Sequence, residues 1–283
     1  MFSLHRAIAL ASVELVSTLP LNGITIGYED AGNGPALVLV HGHPFDRTMW
    51  RPQLDRFARE GWRVIAPDLR GYGQTTVVPG VTPLETFARD LEALLDALGV
   101  DEFVLGGLSM GGQIVLECQR LFPHRIRALL LADTSPHAET ADGKIAREDQ
   151  ARRLLREGLA SYAHEVLPTM LAPHNIRLLP ATARHVLRMM TTASPEGAAA
   201  ALRGRAGRPD YVDLLGDIAV PTLVVVGEED EFTPVELAKF LHSRIPGAEL
   251  SVIEGAAHLP NLEREVVFDD VVLDFLHAVI TPE

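Results

Sequence analysis

The stretch "EFVLGGLSMGGQIVLECQRLFP", residues 102–123, changes character at a single residue. Up to Leu108 it is an apolar run of strand length, and from Gln113 it reads as a helix. Ser109 stands at the change, with Gly106 and Gly107 before it and Gly111 and Gly112 after Met110. Residues 107–111 therefore spell G-x-S-x-G between a strand and a helix, the context of a nucleophile elbow. In such a turn the serine is held in a strained conformation, and neighbouring backbones come so close that the positions two before and two after it must lack side chains. The glycines provide clearance, and the serine is placed for attack.

The rest of the chain repeats this strand-then-helix rhythm. Apolar runs occur at "ALVLVHG" (36–42), "RVIAPDL" (63–69), "RALLLAD" (127–133), "TLVVVGEED" (222–230) and "LSVIEGAAH" (250–258). Amphipathic segments separate them, among them "LETFARDLEALLDALG", whose Phe87, Leu91, Leu94, Leu95 and Leu98 make one apolar face. The alternation predicts an α/β fold, a mostly parallel central sheet flanked by helices. "SVELVSTLP" and "GITIGYEDAG" read as an antiparallel hairpin ahead of it. From His137 to Gly216 no strand-like run occurs, and Ala, Leu, Arg and Met recur with helical spacing. The expectation is a core domain of residues 1–136 and 217–283, with a helical lid of residues 137–216 inserted after the strand that ends near Asp133. Ligands of open α/β sheets bind at the carboxyl ends of strands, so an insertion leaving that edge is placed to cover the site.

A serine hydroxyl needs a base to take its proton and a carboxylate to orient the base. Of the 11 histidines, His258 is best placed, because it follows the last strand-like run on the same sheet edge as Ser109. Asp230 leaves the preceding strand at that edge; Asp133 ends another strand there and competes for the role of acid, while Glu228 and Glu229 stand beside Asp230. The developing oxyanion needs donors, for which the backbone N–H groups of His43, in "LVHGHPF", and of Met110, at a helix N-terminus, are placed. Phe45 in the same loop and Tyr162, Met170, Met189 and Met190 in the insertion are expected to line an apolar substrate pocket. His41 and His43 resemble the start of an H-x-H-x-D-H zinc motif, but Asp46 comes one place late and Arg47 follows, so no metal site is expected.

Composition narrows the partners. The 283 residues are 47% hydrophobic with a formal net charge of -13, which disfavours nucleic acid and anionic membranes, and no run of Lys and Arg forms a basic patch. The single cysteine, Cys118, reads as a buried core thiol and is compatible with a reducing cytoplasm. "HRAIALASVELV" is interrupted by Glu14 and too short to span a bilayer, so it reads as a leader into the first strand, with a weak export signal as the alternative.

With H-G-x-P at His41–Pro44, D-x-R-G-x-G at Asp68–Gly73, and then G-x-S-x-G, G-x-x-D and G-x-x-H in order, the chain resembles the α/β-hydrolase superfamily over nearly its whole length. "FDRTMWRPQ", "GLSMGGQ", "SPEG" and "GAAHLPNLE" are most similar to the bacterial branch holding enol-lactonases, arylesterases and cofactor-free haloperoxidases. The resemblance implies a triad of Ser109, Asp230 and His258, in the chain order of that superfamily, with His43 and Met110 as oxyanion donors. It implies hydrolysis of a small-molecule carboxylic ester or lactone through an acyl-enzyme, with no cofactor. Serine at the elbow disfavours the aspartate-nucleophile dehalogenases and epoxide hydrolases. Cleavage of a C–C bond, perhydrolysis, or a small-molecule receptor without turnover remain open on the same residues.

Overall fold

The computed structural model describes residues 16–279. Residues 5–15 of the stretch read as a leader lie outside them, as do residues 12–15 of the segment expected to open the hairpin. Strands β1 (Ser17–Leu21), β2 (Ile24–Ala31), β3 (Ala36–Val40), β4 (Arg63–Pro67), β5 (Phe103–Leu108), β6 (Ile126–Ala132), β7 (Thr222–Gly227) and β8 (Glu249–Ile253) form one sheet in the order β1-β2-β4-β3-β5-β6-β7-β8. β2 runs antiparallel to both β1 and β4, and every pairing from β4 through β8 is parallel. The expected hairpin and parallel unit are both present. All strands from β3 to β8 therefore deliver their following loops to one edge.

Helices of the core are α1 (Arg51–Arg59), α2 (Leu84–Ala97) and α3 (Met110–Leu121). Between β6 and β7 come α4 (Ala141–Glu157), α5 (Ala160–Met170), α6 (Pro173–Leu178), α7 (Pro180–Thr192), α8 (Pro195–Ala206) and α9 (Val212–Leu215). Three more, α10 (Val235–Arg244), α11 (Pro260–Glu263) and α12 (Glu265–Val279), follow β7 and β8. None is long and apolar enough to cross a membrane among the described residues.

Alternation within buried strands feeds two cores. Val38 and Val40 face one side of the sheet with Phe87 of α2, Ile114 of α3 and Leu241 of α10. Leu37 and Leu39 face the other with Phe57 of α1 and Phe268 of α12. The inserted helices divide between these cores. α4 and α8 pack on each other and add Leu154 and Leu202 to the first core. α5 and α7 pack on each other and add Leu167 and Val186 to the second. Cys118 is fully buried in the first core, and burial pushes its thiol well up.

Helix α8 is seated by backbone contact. A Cβ on Gly204 would fall 1.6 Å from the Thr82 carbonyl oxygen, and one on Gly197 would fall 2.0 Å from that of Gly71. The Thr82 N–H donates to the Ala200 carbonyl at 3.0 Å between these two points. The helix therefore lies directly on the loops after β4, without side chains intervening. Ala in a helix is favoured over Gly by about 1 kcal/mol, so Gly204→Ala sets that gain against a steric clash. We expect the clash to win, with urea unfolding reporting a loss of about 1–3 kcal/mol. Gly216→Ala, where a Cβ meets nothing within 4 Å, is expected to be neutral or slightly stabilising. A Gly204→Ala protein as stable as the parent overturns the docking argument.

Candidate active site

The elbow is built as its glycines require. Ser109 has φ 59° and ψ -117°, outside the ordinary regions for an L-residue. A Cβ on Gly107 would lie 2.4 Å from the backbone of Gly111, and one on Gly111 would lie 2.1 Å from the Val40 carbonyl oxygen of the neighbouring strand. The turn is pinned from below: Ser109 N–H donates to the Ala132 carbonyl at 3.0 Å, and the Thr134 hydroxyl donates to the Ser109 carbonyl at 2.7 Å. Ser109 is nearly buried, and its side chain lines a cavity of about 520 Å³ together with His43 and His258.

Five residues beyond the end of β8, His258 meets Asp230, which follows β7: Nδ1 lies 2.8 Å from Asp230 Oδ2. The same carboxylate accepts from the Phe232 and Thr233 N–H groups at 2.8 and 3.1 Å and from the Thr233 hydroxyl. Burial acts to raise the Asp230 carboxyl, but the His258 ring and the Thr233 donors overcome it and hold it at about 2. An ionised Asp230 assigns the Nδ1 proton to His258 and leaves Nε2 free to accept.

Asp133, the competing acid, is also there, at φ 45° directly after β6. Its Oδ1 accepts from the Gly227 N–H at 2.9 Å, while the buried Oδ2 has no donor. Burial, and then the neighbouring Asp230 charge, push its carboxyl well up. Asp133, Asp230 and His258 place ligand-type atoms within 4.8 Å of one another. In that cluster the His258 Nδ1 and Asp230 Oδ2 already face each other, leaving Asp133 Oδ2 as the atom without a partner. His41 uses both ring nitrogens on backbone: Nδ1 lies 2.8 Å from the Gly42 carbonyl oxygen, and Nε2 accepts from the Leu69 N–H at 3.0 Å. It ties the loop after β3 to the loop after β4, a structural task that its sequence context did not disclose.

The backbone N–H groups of His43 and Met110 find no acceptor among the described residues. Met110 opens α3, where the first N–H groups have no intrahelical partner. The His43 ring is buried, its Nδ1 lies 2.7 Å from the Tyr72 hydroxyl, and its Nε2 has no partner. Burial, followed by the charges of Arg205 and Arg147, holds this imidazole well below its ordinary value, so it is neutral.

Of the residues expected to line the pocket, Tyr162 and Met170 do so. Phe45, Met189 and Met190 do not: all three are buried in the second core, to which α7 belongs with α5. Both methionines of this pair went to packing. The walls instead hold charges that went unremarked in the sequence. Arg147 of α4, Arg205 of α8, Arg208 and Glu139 line the cavity. Arg147 and Arg208 both bond Glu139, the latter at 3.0 Å, whereas Arg205 gives its Nε to Gln113 Oε1 at 3.1 Å and has no carboxylate partner among the described residues. The chain has no basic run, yet folding gathers these guanidinium groups at one spot. "RGRAGR", residues 203–208, was the available signal.

Glu263 lies five residues after His258. It is buried and accepts from the Ala257 N–H at 2.8 Å, the Ala172 N–H at 2.8 Å and Asn175 Nδ2 at 2.7 Å. It thereby fastens the His258 loop to the segment joining α5 and α6.

A family model described as the alpha/beta hydrolase fold matches residues 35–265. A solved thermophilic esterase from Thermogutta terrifontis, with malate bound, is 38% identical, covers 94% of this chain and 98% of its own, and superposes with a TM-score of 0.90. The 3-oxoadipate enol-lactonase 1 of Acinetobacter baylyi is 27% identical over 87% of this chain and 90% of its own length. A putative non-heme chloroperoxidase of Synechocystis is 29% identical over 89% and 95%. These relatives fall in the branch to which the sequence motifs pointed. Since the matched span contains the elbow after β5, the Asp230 turn after β7 and the His258 loop after β8, this chain belongs to the α/β hydrolase fold family.

Proposed function

We propose that the protein hydrolyses a small-molecule carboxylic ester or lactone through an acyl-enzyme on Ser109. The observation that carries this reading is the junction of a strained serine turn and an Asp230-oriented histidine on one cavity, with Asp230 Oδ2 2.8 Å from His258 Nδ1. Ser109 Oγ attacks the carbonyl carbon while His258 Nε2 takes its proton. Ionised Asp230 keeps the imidazole in the accepting tautomer and stabilises the imidazolium that forms. The His43 and Met110 N–H groups donate to the tetrahedral oxyanion, at no cost to existing bonds because neither is engaged. His258 then protonates the leaving alkoxide, activates water against the acyl-enzyme, and returns its proton to Ser109 as the acid departs. Ser109 Oγ and His258 Nε2 are not directly hydrogen-bonded here, and such contacts commonly tighten only around substrate. The helices between β6 and β7 act as a lid, with Tyr162 and Met170 on its inner wall. No step requires a cofactor.

Three measurements test this. A fluorophosphonate is expected to add its mass to Ser109, and Ser109→Ala to abolish both labelling and ester turnover with the fold retained, a loss on the order of a million-fold in comparable enzymes. Adduct on another residue sinks the assignment. A panel of esters and lactones, run with and without peroxide, separates hydrolysis from perhydrolysis.

Between the two carboxylates, Asp230→Asn is expected to lower turnover by roughly ten thousand-fold through the wrong imidazole tautomer, and Asp133→Asn far less, both variants being folded by circular dichroism. The reverse ranking transfers the acid role to Asp133.

The Asp230 carboxyl lies at about 2 in the folded protein, below its value near 4 in an unfolded chain. Its contribution to stability is therefore present above that range and is lost as the pH falls toward 2. The gap in urea midpoint between the parent and Asp230→Asn should narrow between pH 5 and pH 3. A gap independent of pH contradicts an ionised Asp230.

A further inference from the structure

Arg205 is a charged group placed at the cavity without a counter-ion. Its Nε bonds Gln113 Oε1 at 3.1 Å, and its terminal nitrogens have no hydrogen-bond partner among the described residues. Scarcity of acids is not the reason, since the chain carries 38 Asp and Glu against 25 Lys and Arg. The nearby cavity arginines intensify the imbalance: Arg147 and Arg208 share the one carboxylate of Glu139, so three guanidinium groups face the space with a single lining acid. A partly desolvated cation beside two others is costly unless an anion offsets it. The effect is visible in Arg205 itself, whose affinity for its proton is depressed by burial first and by Arg147 and Arg208 next.

A second unpartnered donor lies in the same space. The Tyr72 hydroxyl has no acceptor among the described residues except His43 Nδ1, at 2.7 Å. By donating there it places the proton of the neutral ring on Nε2, a buried donor with no partner, on a residue that lines the cavity. Gln113, which steadies the Arg205 guanidinium, lies one helical turn after Ser109 and receives its own backbone bond from it: the Gln113 N–H donates to the Ser109 carbonyl at 3.2 Å. The cation is thus tied to the same turn that carries the serine.

We propose that the substrates are esters or lactones bearing a free carboxylate, and that Arg205 is the specificity residue that anchors it beside the Ser109 reaction centre. The inference rests on the hydrolase reading above and names the substrate class. A guanidinium presents two parallel N–H donors to a carboxylate, which fixes orientation as well as charge. Glu139 neutralises part of the surrounding charge, so the remaining positive field is left to the ligand.

The test uses two matched pairs of esters: 4-nitrophenyl hydrogen glutarate with its methyl-capped diester, and 4-acetoxybenzoate with its methyl ester. The pairs place the carboxylate on the acyl and alcohol sides in turn. In at least one pair the free acid should be favoured in kcat/KM by roughly 10- to 100-fold, the usual range for a hydrogen bond to a charged group. Arg205→Gln should bring that ratio near one, mainly through KM, and Arg205→Lys should retain part of it. Arg203→Gln, on the same helix but paired with Glu148, should leave the ratio unchanged. Turnover of the capped esters with no preference for either free acid overturns this inference while leaving the hydrolase reading intact. Absence of both turnover and a Ser109 adduct overturns the hydrolase reading instead. Calorimetry of glutarate against glutaramide reads the anchor independently of turnover and of the variants' folding: tighter binding of the dianion by the parent protein supports it, and equal affinity overturns it.

Discussion

Everything at the sheet edge depends on how closely β5 and β3 approach where the chain turns at Ser109. A non-glycine residue at φ 59° carries strain of about 1–3 kcal/mol, and it persists because the surrounding backbone leaves no alternative. Gly111 lies against the end of β3, Gly107 lies against Gly111, and the Ser109 carbonyl is held by a hydroxyl from the loop after β6. This packing does more than expose a hydroxyl. It starts α3 immediately beside the loop after β3, so the free N–H groups of His43 and Met110 both belong to the neighbourhood of one turn. Parallel pairing of β5 through β8 then brings the Asp133, Asp230 and His258 loops to the same edge.

Around that turn, the side chains of Asp230 and His258 are each held by polar neighbours. Thr233 and two backbone N–H groups hold Asp230; Asp230 orients His258; Glu263 fastens the loop carrying His258. The two buried aspartates differ in partners, and this separates their protonation. Asp230 receives several donors and stays ionised, while Asp133 receives one, from Gly227, and is driven toward its neutral form. A neutral neighbour spares Asp230 the repulsion that a second carboxylate at this distance would impose.

The core fold and the residues at the strand ends were legible because the chain punctuates them. Apolar runs of strand length stop at His41, Ser109, Asp133 and Asp230, and parallel order puts all such stops at one edge. The inserted helices offer no comparable reference. Their apolar residues belong to two cores and a cavity wall at once, so helical spacing alone did not separate Tyr162 and Met170, on the wall, from Met189 and Met190, in the packing. The arginines were hidden for the opposite reason. Arg147 and Arg205 are 58 positions apart and converge only because α4 packs on α8, while Arg203 and Arg205, two apart on α8, point to different sides of the helix and Arg208 lies beyond its end, so the run marks no single face. Glu263 and Asp230 are held largely by backbone N–H groups, which leave no trace in side-chain pattern.

The division of the inserted helices between two cores has a bearing on modularity. A cover hinged at its two connections could be cut out or swung aside as a unit. Here α4 and α8 contribute to the same apolar core as α2 and α3, while α5 and α7 contribute to that of α1 and α12. Excising residues 137–216 would strip both layers together, leaving a sheet with uncovered hydrophobic surface on each side and a strong tendency to self-associate. The insertion is thus at once part of both cores and part of the cavity wall, a lid that cannot be removed without unmaking the layers beneath it.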